Sequence, residues 1–367
     1  MVSPPEGPPP GIDFDSGLGG WAPSLSDWRV WLGLAVTGIC VWLAVRGIPM
    51  AAVVEAIRES NFWSLLALSA PCYLLSVYFR ALRWRHLVRP IAEVPRSVLY
   101  RSTALGFMAN NLLPLRVGEL VRAWSLSRDT RIPLASVVGT IALERVLDAV
   151  TVLAMALGGL AYLVAIAPTG PDGPSELARV LGEGSKFLLP VAATPLLALV
   201  ALRLAPESVI SGISICMRPL PTGFRSAAEA GLRHFIAGLG ALRGGSHLLW
   251  IALHSILIWL VTGTGPILLG FQSFGIDLGG AWETLVHAWI LLGALGAAVA
   301  IPSAPGFIGP YQLAFTAVLV PFGVAKTTAL AMGIVVWFVF WLTLTVQGLV
   351  YLALGRASRF ELRRGPE

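Results

Sequence analysis

The sequence predicts an all-α polytopic membrane protein, with about six spanning helices plus two opposed re-entrant hairpins in an inverted-repeat arrangement. Three observations predict it. Hydrophobic residues make up 56% of the chain and charged residues only 13%, a balance that a hydrated soluble domain does not have. The apolar residues gather in runs long enough for membrane helices, separated by stretches that carry arginine. Two of the runs are interrupted by the same Pro-x-x-x-Gly spacing, at Pro114–Gly118 and at Pro305–Gly309. Proline removes a backbone donor and clashes with the preceding turn. In lipid the freed groups need partners, so such breaks belong where protein or a water-filled cavity surrounds them.

In chain order, residues 1–27 are proline-rich and acidic with no basic region before an apolar core, and so read as a disordered tail and not a secretory signal. Val30–Val45 is the first span, with Trp28, Trp31 and Trp42 as interface anchors. Arg46–Asn61 is an amphipathic connection, and Phe62–Phe79 the second span. Arg80, Arg83, Arg85, Arg89, Arg96 and Arg101 follow it and form the strongest orientation signal, placing that stretch and the N-terminus in the cytoplasm. Val98–Arg122 is basic at both flanks, which predicts a segment that enters and returns.

Val137–Ala167 spans outward, and the Pro/Gly-rich stretch 168–174, without basic residues, is an external loop. Phe187–Leu202 spans back, kinked at Pro190 and Pro195. Residues 203–247 form a cytoplasmic linker whose amphipathic part, 227–242, lies on the membrane surface or is a solvated helix. Leu248–Leu269 spans outward and is distorted at Gly263–Pro266. Leu285–Ile301 and Tyr311–Phe322 are the arms of the second hairpin, entered from outside. Thr327–Leu354 is the last span, and residues 356–367 a basic cytoplasmic tail. Residues 28–355 thus form one transmembrane domain. A variant topology has the hairpin arms crossing fully, with the same cytoplasmic ends.

The candidate site residues cluster at the breaks. Arg116, Glu119 and Arg122 recur at helical spacing. Guanidinium groups grip phosphate with bidentate geometry, which suits Arg116 and Arg122; Arg122, nearer the loop, reads more readily as an orientation anchor. Glu144 and Asp148 share a helix face and Arg145 is offset from them by about 100°. These three form either a site or an interfacial ion-pair set. Asn110 and Asn111 are placed to hydrogen-bond the broken backbone around Pro114 and Gly118. Tyr311 and Gln312, after Pro305 and Gly309, would line the same cavity from the other side. His254 and His287 read as interhelical hydrogen-bonders, and Cys40, Cys72 and Cys216 as packing residues, with no metal-ligand spacing.

No nucleotide-binding, serine-hydrolase or zincin motif is present. The reading is of a chain that needs no cofactor and is no enzyme. The net charge of +6 is spread along the apolar runs, which predicts membrane orientation and no nucleic-acid partner.

Taken together, Leu82-Arg83-Trp84-Arg85, Asn111-Leu112-Leu113-Pro114-Leu115-Arg116-Val117-Gly118-Glu119, Glu144-Arg145-Val146-Leu147-Asp148 and Pro302-Ser303-Ala304-Pro305-Gly306-Phe307-Ile308-Gly309 resemble the flippase-like family, also called the lysylphosphatidylglycerol synthase transmembrane-region family. The resemblance runs from about Val30 to Leu354. It implies a domain that moves lipids or lipid-linked sugars between leaflets. The chain reads as a stand-alone member, since no soluble aminoacyltransferase domain follows before Glu367. Family members often carry a glutamate where this sequence has Gln312.

The expected function is therefore transport of a phosphate-bearing lipid or lipid-linked sugar across the cell membrane. The partners are a membrane lipid or a polyprenyl-phosphate-linked lipid, with both termini cytoplasmic. Two rivals stand beside it: a membrane-embedded transferase with Glu119 or Asp148 as base, and a non-transporting partner of a cell-envelope lipid biosynthetic enzyme.

Overall fold

The computed structural model describes residues 28–113, 116–166, 169–170, 173–174, 197, 201, 205–216 and 245–364. The expected tail 1–27, the break residues Pro114 and Leu115, the span 187–202 apart from two of its residues, and the amphipathic segment 227–242 lie outside the described residues.

The protein is all-helical; the one extended pairing described, Thr169–Gly170 with Gly173–Pro174, belongs to the turn-rich stretch after the helix 134–166. In chain order the helices are α1 Trp28–Val45, α2 Met50–Glu59, α3 Phe62–Val88, α4 Arg96–Leu112, α5 Gly118–Thr130, α6 Leu134–Ile166, α7 Pro206–Cys216, α8 Gly245–Trp259, α9 Gly265–Ser273, α10 Ala281–Ala300, α11 Pro310–Leu319 and α12 Lys326–Arg364.

Five of these segments are long and apolar enough to cross a membrane: Phe62–Val88, Leu134–Ile166, Leu249–Ser273, Ala281–Ala300 and Lys326–Leu354. The bent pair Trp31–Val45 and Met50–Glu59 makes a sixth if it is one span. Its 78° bend has a local cause. Gly47 takes a left-handed φ of 74°, and the extended Pro49 starts the next helix. Lys326 then donates its ammonium hydrogens to the carbonyls of Leu43 at 3.3 Å and Arg46 at 2.7 Å, satisfying the end of α1.

The distortion expected at Gly263–Pro266 is a π-helical turn, Leu260–Thr264, that joins α8 to α9. It turns Gly263 onto α10, where a Cβ would overlap the Leu292 side chain. The final helix continues past the expected end at Leu354 to Arg364.

The two broken segments are helical hairpins. Arg101 pairs with Asp129, Ser102 Oγ meets Ser125 Oγ at 3.1 Å, and Asn110 binds Gly118, so α4 and α5 run antiparallel along their whole length. With 17 and 13 residues, these arms reach only about 25 and 20 Å, short of a hydrocarbon core of about 30 Å. The second hairpin is unequal. Its first arm, α10, has 20 residues and is long enough to span, whereas α11 has 10.

Two apolar cores hold the hairpins. Trp84, Leu87, Leu99, Leu126, Ile141 and Ile251 pack α3, α4, α5, α6 and α8 together. Phe271, Leu291, Leu292, Phe315, Met332 and Val336 do the same for α9, α10, α11 and α12. The central α12 touches α2, α3, α4, α9 and α11 and joins the two halves. The halves also meet where α6 crosses α10. There Gly159 lies against Val286, Ala156 against Gly293, and Val152 against Gly296, so small residues let the backbones approach. A Cβ on Gly293 would overlap that of Ala156, whereas one on Gly158 would meet nothing within 4 Å. Gly293→Leu is therefore expected to cost about 1–3 kcal/mol by overpacking, and Gly158→Leu to be near neutral. Thermal unfolding of the two variants in detergent checks this; equal midpoints would mean the α6–α10 contact is loose.

Candidate functional site

The first tip is built from Asn110 and Asn111. Asn110 accepts the Gly118 N–H at 2.8 Å and donates to Glu119 at 3.2 Å, which caps α5 from the opposite arm. A Cβ on Gly118 would overlap the Gly106 carbonyl, so only glycine lets the arms touch backbone to backbone. Asn111 turns the other way. It donates to the Trp341 carbonyl at 3.2 Å and to Thr345 Oγ1 at 3.1 Å, and its own carbonyl accepts the Trp341 indole N–H at 3.2 Å.

The second tip is pinned from two sides. Trp337, one turn before Trp341 on α12, donates its indole N–H to the Gly306 carbonyl at 2.6 Å. Thr37 of α1 accepts the Ala304 N–H at 2.8 Å. Pro305 opens the turn Pro305–Phe307, and Gly306 and Gly309 take φ of 71° and 93°. A Cβ on Gly309 would come within 2.8 Å of the Thr37 carbonyl. Gln312, expected to line a cavity, is buried, and its amide oxygen accepts the Gly309 N–H at 2.8 Å; it caps α11. Tyr311 is buried beside Phe315 and Phe340.

The tips meet. The Arg116 guanidinium lies 5.6 Å from the centre of the Phe307 ring. Among the described residues three non-glycines have a positive φ, and two of them are this pair, Arg116 at 56° and Phe307 at 64°. Strained backbone of this kind persists only where the surroundings hold it.

Beneath the first tip lies a buried ion network. Asp148 accepts hydrogen bonds from Arg80 at 3.0 Å and the Trp259 indole at 3.2 Å, and forms ion pairs with Arg83 at 2.8 Å and Arg145 at 3.1 Å. Glu144 pairs with Arg122 and lies 3.8 Å from Arg83. Glu119 lies 3.9 Å from Arg145, which bridges the network to the tip. Arg122 also sits 3.7 Å over the Trp84 ring, whose N–H donates to Thr140 at 2.9 Å. Arg83 and Glu144 have no exposed side-chain surface, and Arg83 donates to Ser255 at 3.0 Å. So many charges are tolerable in an apolar protein only because each faces an opposite charge or a ring.

The structure thus brings together Asn111, Arg116, Gly118, Glu119, Arg122, Glu144, Arg145 and Asp148, and sets Pro305 and Gly309 at the opposing tip. Pro114 lies outside the described residues.

Some expectations change. Arg122 is no orientation anchor but is buried against Glu144. Arg80 and Arg83, read as part of a cytoplasmic basic stretch, are buried ligands of Asp148. Their three-residue spacing was the available signal: it puts them on one face of α3, while Arg85 and Arg89 are exposed on the other. His254 and His287 bond within their own helices, each Nδ1 donating at 2.6 Å to the carbonyl four residues back. Trp337, Trp341 and Ser255 had no local motif to mark them.

The chain matches the family described as Lysylphosphatidylglycerol synthase TM region over residues 30–363. It belongs to that family. Its apolar helices and this membership make it a multi-pass membrane protein of lipid-related function. Glycosyltransferase AglD of Haloferax volcanii is 26% identical over 306 residues, which cover 77% of this chain and 47% of AglD. The chain thus spans about half the length of this curated relative. No solved structure matches.

The name of that relative overturns one expectation. A chain without nucleotide, hydrolase or zincin motifs was read as no enzyme, yet this member of the lysylphosphatidylglycerol synthase TM family resembles a protein named for glycosyl transfer. The missing motifs mark other chemistries. A glycosyl transfer on a lipid-linked donor requires none of them.

Proposed function

We propose that this chain binds the phosphate of a lipid or lipid-linked sugar at the junction of its two hairpin tips and carries the headgroup between leaflets, leaving the tails in the bilayer. Arg116 carries the reading. It is half-buried, backbone-strained and set against the opposing tip, and no carboxylate of the described residues lies within ion-pair distance of it. A guanidinium so placed wants an anion, and phosphate matches its fork. Broken segments in the two halves of a membrane protein are where transporters place such sites. The short arms of α4 and α5 support a first hairpin that enters from the cytoplasm and returns. In this reading the protein sits in the cell membrane with both termini cytoplasmic and serves cell-envelope lipid or glycan assembly.

A leaflet-exchange assay tests it. Purified protein is placed in liposomes carrying either fluorescent phospholipid or a polyprenyl-phosphate-linked sugar. Wild type should exchange one class, and Arg116→Ala should slow that exchange about ten- to hundredfold, the worth of a charged hydrogen-bond pair, with its elution profile unchanged. Retained exchange in the variant sinks the assignment.

The name of AglD favours a second reading, group transfer on a lipid-linked substrate. Glu119 is then the available base. It is partly exposed near the tip, whereas both Asp148 oxygens are taken by arginines and an indole. Product formation by purified protein that fails with Glu119→Gln would establish it.

A further inference from the structure

We infer that the tip site is built for a dianionic headgroup, a lipid phosphomonoester or lipid diphosphate, in preference to the singly charged phosphodiester of an ordinary glycerophospholipid. This rests on the phosphate-binding reading above. The argument is one of charge balance. Among the described residues the ion network holds four arginines, at 80, 83, 122 and 145, against three carboxylates, at 119, 144 and 148, and Arg116 adds a fifth guanidinium at the tip. Two positive charges are left over.

Fixed dipoles do not offset them. Each hairpin tip brings the C-terminal end of its first arm and the N-terminal end of its second, so the helix-end charges largely cancel. Nor is the surplus dispersed into water. Arg80, Arg83 and Arg122 are buried, Arg116 and Arg145 are part-buried, and buried guanidinium nitrogens lack hydrogen-bond partners at Arg80 Nε, Arg83 Nε and Nη2, Arg116 Nε, Arg122 Nε and Nη2, and Arg145 Nε. Arg145 is shared between Glu119 and Asp148.

An uncompensated charge in such surroundings is expensive. A phosphodiester brings one negative charge and leaves one arginine unmatched. A phosphomonoester carries about −1.5 to −2 at neutral pH with three acceptor oxygens, which balances the cluster and supplies the missing acceptors.

The test uses full-length protein in detergent and probes with one tail: dodecyl phosphate, its methyl diester, and tail-free inorganic phosphate, each titrated by calorimetry. Dodecyl phosphate should bind about tenfold or more tighter than the methyl diester, the effect expected of one matched charge at partial burial. Arg116→Gln should bring that ratio close to one. Glu119→Gln, which raises the surplus, should increase it about threefold.

Equal binding of the two lipid probes, both weakened by Arg116→Gln, overturns the dianion inference while the phosphate site stands. No binding of either lipid probe to folded wild type overturns both. Inorganic phosphate binding as tightly as dodecyl phosphate overturns the lipid assignment in favour of a free anion. Where Arg116→Gln elutes as aggregate, Arg116→Lys takes its place; it keeps the charge and loses the fork, so the ratio should persist with weaker binding overall, and a collapsed ratio would count against the charge argument.

Discussion

Asp148→Asn is expected to cost about 3–5 kcal/mol of stability, the loss seen when one partner of a buried ion pair is removed. The change keeps the side-chain shape, so no cavity is made. What changes is the charge facing Arg80, Arg83 and Arg145 at 2.8–3.1 Å. Three guanidiniums would then share Glu144 and Glu119 with Arg122, deep in an apolar setting. Thermal unfolding in detergent and the fraction of monodisperse protein on elution measure the loss. Adding Arg80→Met should recover part of it, since the two residues are in direct contact and their effects are not additive. A loss below about 1 kcal/mol, the range of solvent-screened surface pairs, would show that water reaches the network.

Gly118→Val should have the second large effect. The added carbon overlaps the Gly106 carbonyl and the Asn110 amide, and a backbone carbonyl has no rotamer into which to escape. The arms of the first hairpin must separate, giving up the Asn110 bonds to Gly118 and Glu119. Overpacking of about 1–3 kcal/mol adds to about 1 kcal/mol for each bond lost. Disulfide formation between Ser102→Cys and Ser125→Cys reports the separation directly. It should be efficient with Gly118 and fall sharply with valine. Unchanged cross-linking would mean that the hairpin tolerates the wedge.

Much of the architecture was legible because it follows from short-range chemistry. The Pro-x-x-x-Gly interruptions mark both hairpins, and the Gly263–Pro266 cluster marks the π turn. The four-residue spacing of Glu144 and Asp148 puts both carboxylates into one network. Less legible was what depends on partners far away in sequence. Arginines after an apolar run look alike whether they face water or, as Arg80 does, a carboxylate 68 residues on, so Arg80 and Arg83 group with Arg85 and Arg89 in the sequence. Gln312 gives no sign in sequence that its oxygen caps its own helix instead of facing a cavity. Leu285–Ile301 reads as a short hairpin arm because Pro305 follows, though the helix that carries it, Ala281–Ala300, has the length of a span. The expectation of no enzyme fails for a different reason: absent motifs rule out the reactions they encode and no others, and a relative is named for glycosyl transfer.

The two indole bonds from α12 have a mechanical consequence. Trp337 holds one tip and Trp341 the other, four residues apart on a continuous helix. A helix is stiff over one turn, so the two tips are mounted on a common axle. Rotation of α12 displaces both tips at once, while opening either tip alone requires an indole to let go. A shift of either tip is thus passed to the other within a single helical turn, without any relay between them.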